Sequence, residues 1–505
     1  MRRVSPLHGL IGCGLIALFT SSCSPKDPGT ETGSRSTVDS VESGADSANG
    51  AVAVTTESDE ARALYARGRA LAEQLRQHDA RKLFQEAMAK DSTFALAHYD
   101  FALVSPTTRG FRAHLDRAVA LSSHASEGER LMIQSLKSGA DGDTKQQLAY
   151  AEELVAKYPR DARAQTLLAN AYAGRQDFDK AVGQLSKAIA ASPDYAPAYN
   201  LLGYSYMPQG KYAEAEQAFK TYIELVPNDP NPYDSYAEML MRTGRFEESI
   251  VQYRKALSLE PHFSNSYLGI ASNLVFQGKH DAAAAEAQKL HDAARDDGDR
   301  RQALISRTLT FVDQGQTAKA VQESEKLYAL DARIGDTAAM SLDAIQTGDI
   351  LLGAGRPDEA ATRYRQSLAL VQGSSLSAEV KENATLADRY NVARVALAKG
   401  DLPAAKAAAA EYLKGAEATN DVGRIRLGHE LAGSIALQEK HFDQAGAELA
   451  QADQQDPYIL YETALAHQGQ GDAAKAKELA GRAANMNTFP TVRSAQIRAK
   501  AIKMQ

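Results

Sequence analysis

A chain of 505 residues has room for three or four ordinary domains, yet its apolar share of 44% is spread thinly, Trp is absent, and no long aliphatic run follows the N-terminus. The formal charge of −7 argues against nucleic acid as a partner. Both cysteines, Cys13 and Cys23, stand near the start, so the remainder has no internal disulfide.

Arg2 and Arg3 form a positive n-region, and Gly9 to Phe19 form an apolar stretch too short to cross a bilayer. Residues 1–22 therefore read as an export signal. Thr20-Ser21-Ser22-Cys23 resembles a lipobox, where a lipoprotein signal peptidase cleaves before a cysteine carrying a diacylglyceryl thioether. Leu10-Ile11-Gly12-Cys13 fits the letters of that pattern better, but cleavage there would leave an apolar core of only a few residues, so Cys23 is the expected lipidation site. Losing Arg2 and Arg3 with the signal takes the formal charge from −7 to −9. Residues 23–58 hold the lipid-bearing Cys and a run of Ser, Thr, Gly, Ala and Asp with no aromatic residue, which predicts a disordered tether reaching roughly 30 Å. In the Gram-negative lipoproteins that this start resembles, Asp after the Cys retains the protein at the inner membrane. Ser24 thus implies an outer-membrane lipoprotein facing the periplasm.

Beyond the tether a period of 34 residues appears in Pro159, Pro193, Pro227 and Pro261. Between Ala196 and Asp229 the repeating set is Tyr199, Leu202, Gly203, Tyr206, Ala215, Phe219 and Pro227. Gly203 and Ala215 would let two antiparallel helices approach closely, Leu202, Tyr206 and Phe219 would fill the space around them, Gly210 suits a left-handed turn, and Pro227 ends the second helix. These residues resemble the tetratricopeptide repeat signature of Trp, Leu, Gly, Tyr, Ala, Phe and Pro, with Tyr199 in place of the Trp.

The frame extends upstream through Leu168, Ala169, Tyr172, Ala181, Leu185, Ala188 and Pro193, and downstream through Tyr233, Ala237, Leu240, Gly244, Tyr253, Ala256 and Pro261. Tyr267, Ala271, Leu274, Gly278, Ala283 and Leu290 follow. Leu64, Gly68, Ala80, Phe84 and Ala87 mark a first unit, and His98, Phe101, Ala102, Leu115 and Ala118 a less regular second. The stretch from Glu127 to Asp161 is similar to a unit found in the repeat regions of bacterial signalling kinases and cyclases. After Leu290 the turn glycines Gly315, Gly355 and Gly400 stand about 40 to 45 residues apart, implying longer helices or loops, while Ala320, Ala360, Ala405 and Ala445 keep the small-residue position. Gly433, Phe442, Leu449, Ala452 and Pro457 restore a good match, and Gly471, Ala476 and Ala483 mark a last hairpin. The expected layout is a regular array over 59–297, a longer-period array over 298–490, and about twelve hairpins in all. Residues 491–505, with Arg493, Arg498, Lys500 and Lys503 around Val492, Ile497 and Ile502, are expected to form an amphipathic helix capping the open end.

Catalytic chemistry finds no foothold. His280 and His291 are eleven residues apart on one predicted helix, too distant for one metal ion. Gly203 to Lys211 lacks the glycine spacing and the Ser or Thr of a phosphate loop, and no Gly-x-Ser-x-Gly elbow occurs. Asp292, Asp296 and Asp297 read as a solvated charge run. No enzyme, cofactor, metal site or small-molecule substrate is expected.

The resemblance implies an all-α fold, a right-handed α-solenoid whose concave face is lined by the first helix of each hairpin and binds other proteins or peptides. The contact positions it implies are Thr166, Asn170, Asn200, Tyr204, Met207, Asp234, Glu238, Met241, Arg242, Leu268, Val275 and Phe276. Amides beside aromatic and Met side chains could clamp an extended peptide or a helix. The function so implied is a lipid-anchored interaction scaffold of the cell envelope. Two alternatives stay open: a regulatory subunit docking on a separately encoded sensor or enzyme, and a glycan-binding module.

Overall fold

The computed structural model describes residues 50–419 and 421–505, so the signal, Cys23 and most of the tether lie outside the described residues. Twenty-five α-helices and no strand occur among the described residues, and none of the helices is long and apolar enough to cross a membrane. Twenty-four of them form twelve consecutive hairpins. Hairpins 1 to 3 are α1 (Asp59–Glu73) with α2 (Gln77–Lys90), α3 (Ala95–Leu103) with α4 (Thr108–Ala120), and α5 (Glu127–Asp141) with α6 (Thr144–Lys157). Hairpins 4 to 6 are α7 (Ala162–Gly174) with α8 (Phe178–Ala191), α9 (Ala196–Tyr206) with α10 (Tyr212–Leu225), and α11 (Pro230–Arg242) with α12 (Phe246–Leu259). Hairpins 7 to 9 are α13 (Ser264–Phe276) with α14 (His280–Asp292), α15 (Asp297–Asp313) with α16 (Thr317–Ile334), and α17 (Thr337–Gly353) with α18 (Pro357–Gln372). Hairpins 10 to 12 are α19 (Ala378–Ala398) with α20 (Leu402–Ala418), α21 (Val422–Gln438) with α22 (Phe442–Leu449), and α23 (Pro457–Gly469) with α24 (Ala473–Ala484). The unpaired α25 (Val492–Met504) follows. The wider glycine spacing after Leu290 is absorbed by longer helices: α15 has 17 residues and α19 has 21, against 13 in α7.

Each hairpin closes on the small residues the repeat predicts. A Cβ on Gly203 would fall 2.5 Å from Cζ of Phe219 within hairpin 5, and one on Gly269 2.0 Å from Cζ of Tyr253 between hairpins 6 and 7, so a fully buried ring occupies each missing side chain's place. Ala215, Ala283, Ala320, Ala360, Ala405 and Ala445 are all 0% exposed, which leaves no room for a larger residue where the helices touch. Ser249 takes this position in hairpin 6 and satisfies its hydroxyl by donating to the Ala237 carbonyl at 2.7 Å while accepting from Asn273 Nδ2 at 3.0 Å.

The Tyr that replaces the signature Trp has a second function. The hydroxyls of Tyr199, Tyr233 and Tyr267 donate to the carbonyls of Pro193, Pro227 and Pro261 at 3.0, 2.9 and 3.0 Å. One repeat earlier, Gln165 Nε2 does the same to Pro159 at 2.8 Å. In these four repeats a side chain of the next helix thus supplies a donor to a carbonyl in the turn that follows the helix before it.

The hairpins coil back on themselves. Arg81 of hairpin 1 pairs with Asp296 ahead of hairpin 8 at 3.1 Å, and the Arg109 amide of hairpin 2 donates to Asp336, the N-cap of hairpin 9, at 3.0 Å. Asn383 of hairpin 10 donates to the Asp141 carbonyl of hairpin 3 at 2.9 Å, Gln176 of hairpin 4 bonds Arg426 of hairpin 11 and Asp453, and Gln455 ahead of hairpin 12 donates to the Pro208 carbonyl in hairpin 5 at 3.2 Å. These contacts join hairpin n to hairpin n + 7 or to the turn beside it, which sets one superhelical turn at about seven hairpins. Gln176 carries φ +63° where most hairpins have Gly, a conformation disfavoured by about 1 kcal/mol, and its side chain makes two of these bonds between turns.

Two expectations need correction. Residues 50–58, assigned to the free tether, run along hairpin 3: the Val52 amide donates to Asp161 and the Thr55 amide to Glu129, both at 2.8 Å, and Gly128 clears space for Val52. The second concerns α25. It does not cap an open end but packs against α15, α17, α23 and α24, inside the coil. Val492 and Ala495 join Leu309, Val312 and Ile350 in one apolar cluster, and Ile497 and Ala501 join Leu460, Ala464 and Leu479 in another. The helix therefore has apolar neighbours on two sides, which no terminal cap would offer it.

Candidate functional site: the inner face and the helix it holds

The first helix of each hairpin faces the superhelix axis, so residues one repeat apart stack into ladders. Tyr204 and Glu238 are 34 residues apart, and the Tyr204 hydroxyl donates to Glu238 Oε2 at 2.9 Å. Glu238 also accepts from Arg242 Nε and Nη2 at 3.0 and 2.8 Å. One turn earlier on α11, Asp234 accepts from Ser266 Oγ at 2.6 Å. Of the twelve residues expected to line the groove, Thr166, Asn200, Tyr204, Met207, Asp234, Glu238, Met241 and Val275 are buried, while Asn170, Arg242, Leu268 and Phe276 are half-buried. The structure thus brings Tyr204, Asp234, Glu238 and Arg242 together as an internal network rather than as an open surface. Thr166 donates to its own helix at the Arg163 carbonyl, and Asn200 Oδ1 is buried without a partner.

Burial pushes the Asp234 carboxyl from 3.8 up to about 8, against the opposing influence of the Ser266 hydroxyl. Between those two values the folded chain holds a proton that the unfolded chain has released, so this group's contribution to stability falls as pH rises across the window. Asp234→Asn should flatten that fall. Urea midpoints at about pH 5 and about pH 9 should lie closer together than in the wild type, and an unchanged gap would show that the carboxyl is already ionised in the fold.

Farther along the coil the inner face holds α25. Arg493 Nη2 donates to Glu430 Oε1 at 2.7 Å, its Nη1 to the Tyr390 hydroxyl at 3.0 Å, and its guanidinium lies 3.9 Å from the centre of the Tyr458 ring. Arg498 Nη2 donates to the Phe276 carbonyl at 2.6 Å and its Nη1 to the Val275 carbonyl at 3.1 Å, with Asp313 at 3.3 Å. Those carbonyls end α13, where the aligned peptide dipoles favour a cation. Between the two arginines, Gln496 Nε2 donates to the Asp349 and Ile350 carbonyls at 3.1 and 3.3 Å. A Cβ on Gly353 would fall 2.0 Å from Gln496 Oε1, so this glycine clears the seat.

Val275 and Phe276, two of the residues named for the groove, thus meet the chain's own helix through their carbonyls. The sequence reading missed Arg493, Gln496, Arg498, Glu430, Asp313 and Gly353. One signal was available. The two arginines of the tail are held inward, whereas Lys500 and Lys503 are exposed, matching the use of the planar guanidinium for fixed, multidentate bonding. His280 Nε2 pairs with Asp313 at 2.8 Å, and among the described residues no group of three potential metal ligands occurs.

Residues 141–196 and 166–230 match one tetratricopeptide repeat family model, and residues 231–263 match a second. Residues 141–263 carry tetratricopeptide repeats. The matched repeats run from α6 through hairpins 4 to 6, where the 34-residue period is most regular, and the same hairpin geometry continues on both sides of them. Such repeats form scaffolds for protein–protein interaction. No curated protein matches the sequence. Among solved structures, a tetratricopeptide repeat protein from Parabacteroides merdae is similar at 16% identity and TM-score 0.35, over 57% of this chain and 99% of its own. A thermophilic TPR protein from Thermus thermophilus is similar at 23% identity and TM-score 0.28, over 42% of this chain and 98% of its own.

Proposed function

We propose that this tetratricopeptide repeat protein is an interaction scaffold of the bacterial cell envelope, anchored to the outer membrane through lipid on Cys23 and binding partner proteins on its inner face. The observation that supports the binding mode is the seat of α25: first helices of six consecutive hairpins, 7 to 12, already hold a helix through arginine, amide and apolar contacts. This is the chemistry of helix-in-groove recognition. The support for the anchor is the sequence alone, namely the basic n-region, the short apolar stretch and Cys23.

Two measurements test the reading. Metabolic palmitate labelling should mark the wild type and not Cys23→Ala, and equal labelling of both would remove the anchor. A photo-crosslinking side chain at half-buried Asn170 on α7 should trap a partner in cells, whereas one at Val251 on α12, which is 62% exposed, should not. Adducts at Val251 and none at Asn170 would move binding to the outer surface.

A further inference from the structure

The helix seated on the inner face tells which kind of partner that face suits. Every other helix belongs to a hairpin, while α25 is the odd one out and reaches its seat through seven residues, 485–491. Fully extended, such a link spans roughly 24 Å, enough for α25 to leave without unwinding α24. The two carboxylates that its arginines meet keep partners of their own. Glu430 retains the Tyr390 hydroxyl at 2.5 Å, and Asp313 retains His280 at 2.8 Å. Departure of the two arginines would thus leave no naked carboxylate, the condition that makes most buried ion pairs hard to open.

We propose that hairpins 7 to 12 form a receptor for an amphipathic helix carrying two arginines five residues apart, that α25 is its resident occupant, and that a partner protein enters by presenting such a helix and displacing α25. This rests on the inner-face reading given above and adds the identity of the recognised element. Glu430 and the Tyr458 ring read the first arginine. The Val275 and Phe276 carbonyls at the end of α13, with Asp313, read the second. Gly353 admits a flat amide between them. Lysine would satisfy neither end, since it cannot bond two acceptors and stack at once.

Two experiments on the full chain decide this. In hydrogen exchange of the wild type, the amides of α25 should open at least roughly tenfold faster than those of α23 and α24, on which it packs. Equal protection would make α25 a permanent part of the fold and overturn the proposal. In the second, a fluorescent synthetic peptide of residues 488–505 is titrated onto the wild type and onto Arg493→Ala/Arg498→Ala, whose own helix is weakened. The variant should bind the peptide at least roughly tenfold more tightly, because in the wild type the tethered helix competes at high effective concentration. A peptide with lysine at both arginine positions should bind at least roughly tenfold more weakly than the native one. A folded variant that ignores the peptide would overturn the receptor while leaving the scaffold reading intact if Asn170 still crosslinks a partner. Peptide binding without any crosslink at Asn170 would do the reverse.

Discussion

Replacing Arg301 with alanine should lower the stability of the fold by about 3–5 kcal/mol, the cost of removing one member of a buried ionic cluster. Arg301 on α15 donates to Asp331 of α16 at 2.7 Å and to Asp343 of α17 at 2.6 Å, and both aspartates are 1% exposed. Burial holds the Asp343 carboxyl well above the usual carboxylate range even with the cation beside it, and Asp331 adds to that rise. Without the guanidinium the Asp343 carboxyl loses the one group that lowers it most, so its charged form becomes still costlier in the fold. The penalty should therefore be largest at alkaline pH and shrink as pH falls. Urea denaturation at several pH values measures both parts. Replacing all three residues by apolar ones of similar volume should recover most of the loss, because the desolvation cost vanishes with the charges. A penalty below about 1 kcal/mol at every pH would show that water reaches the cluster.

The second large effect lies at the contact inside hairpin 5. Phe219 is fully buried and its ring fills the space left by the missing Cβ of Gly203. Phe219→Ala should cost about 3–5 kcal/mol through lost burial and the cavity left behind. Gly203→Ala should cost about 1–3 kcal/mol, because the new methyl would sit on a ring with nowhere to move. The two together should cost clearly less than their sum, since the methyl then enters the cavity that the ring vacated. A double-mutant cycle by chemical denaturation gives the coupling, and strict additivity would mean that the helices separate instead of the side chains repacking.

The hairpins were legible because one period ties several independent causes together. Gly203 with Phe219, the left-handed turn at Gly210 and the chain break at Pro227 all recur at 34 residues, and each has a local reason to be where it is. The expectation that Tyr204, Asp234 and Glu238 face inward came from the resemblance to the repeat signature. What they would meet did not. Tyr204 and Glu238 satisfy each other, and whether a position one repeat away will be a partner or a stranger depends on side chains that the signature leaves free. The position of α25 was hidden for a different reason. Its amphipathic pattern suits a lid on the last hairpin as well as an axle within the coil, and only the closure of the superhelix decides between them. That closure rests on pairs such as Arg109 with Asp336, separated by 227 residues, for which no local pattern exists.

The winding has a mechanical consequence. In a straight stack each unit leans only on its neighbours, stability adds along a line, and the ends fray singly like the turns of a loose spring. Here Arg81, Arg109, Gln176 and Asn383 rivet one coil to the next, so the first unit cannot peel away without stripping support from the eighth. Heating should accordingly melt the array in a single broad-based step, and a length change in one coil would shift the register of every rivet beyond it.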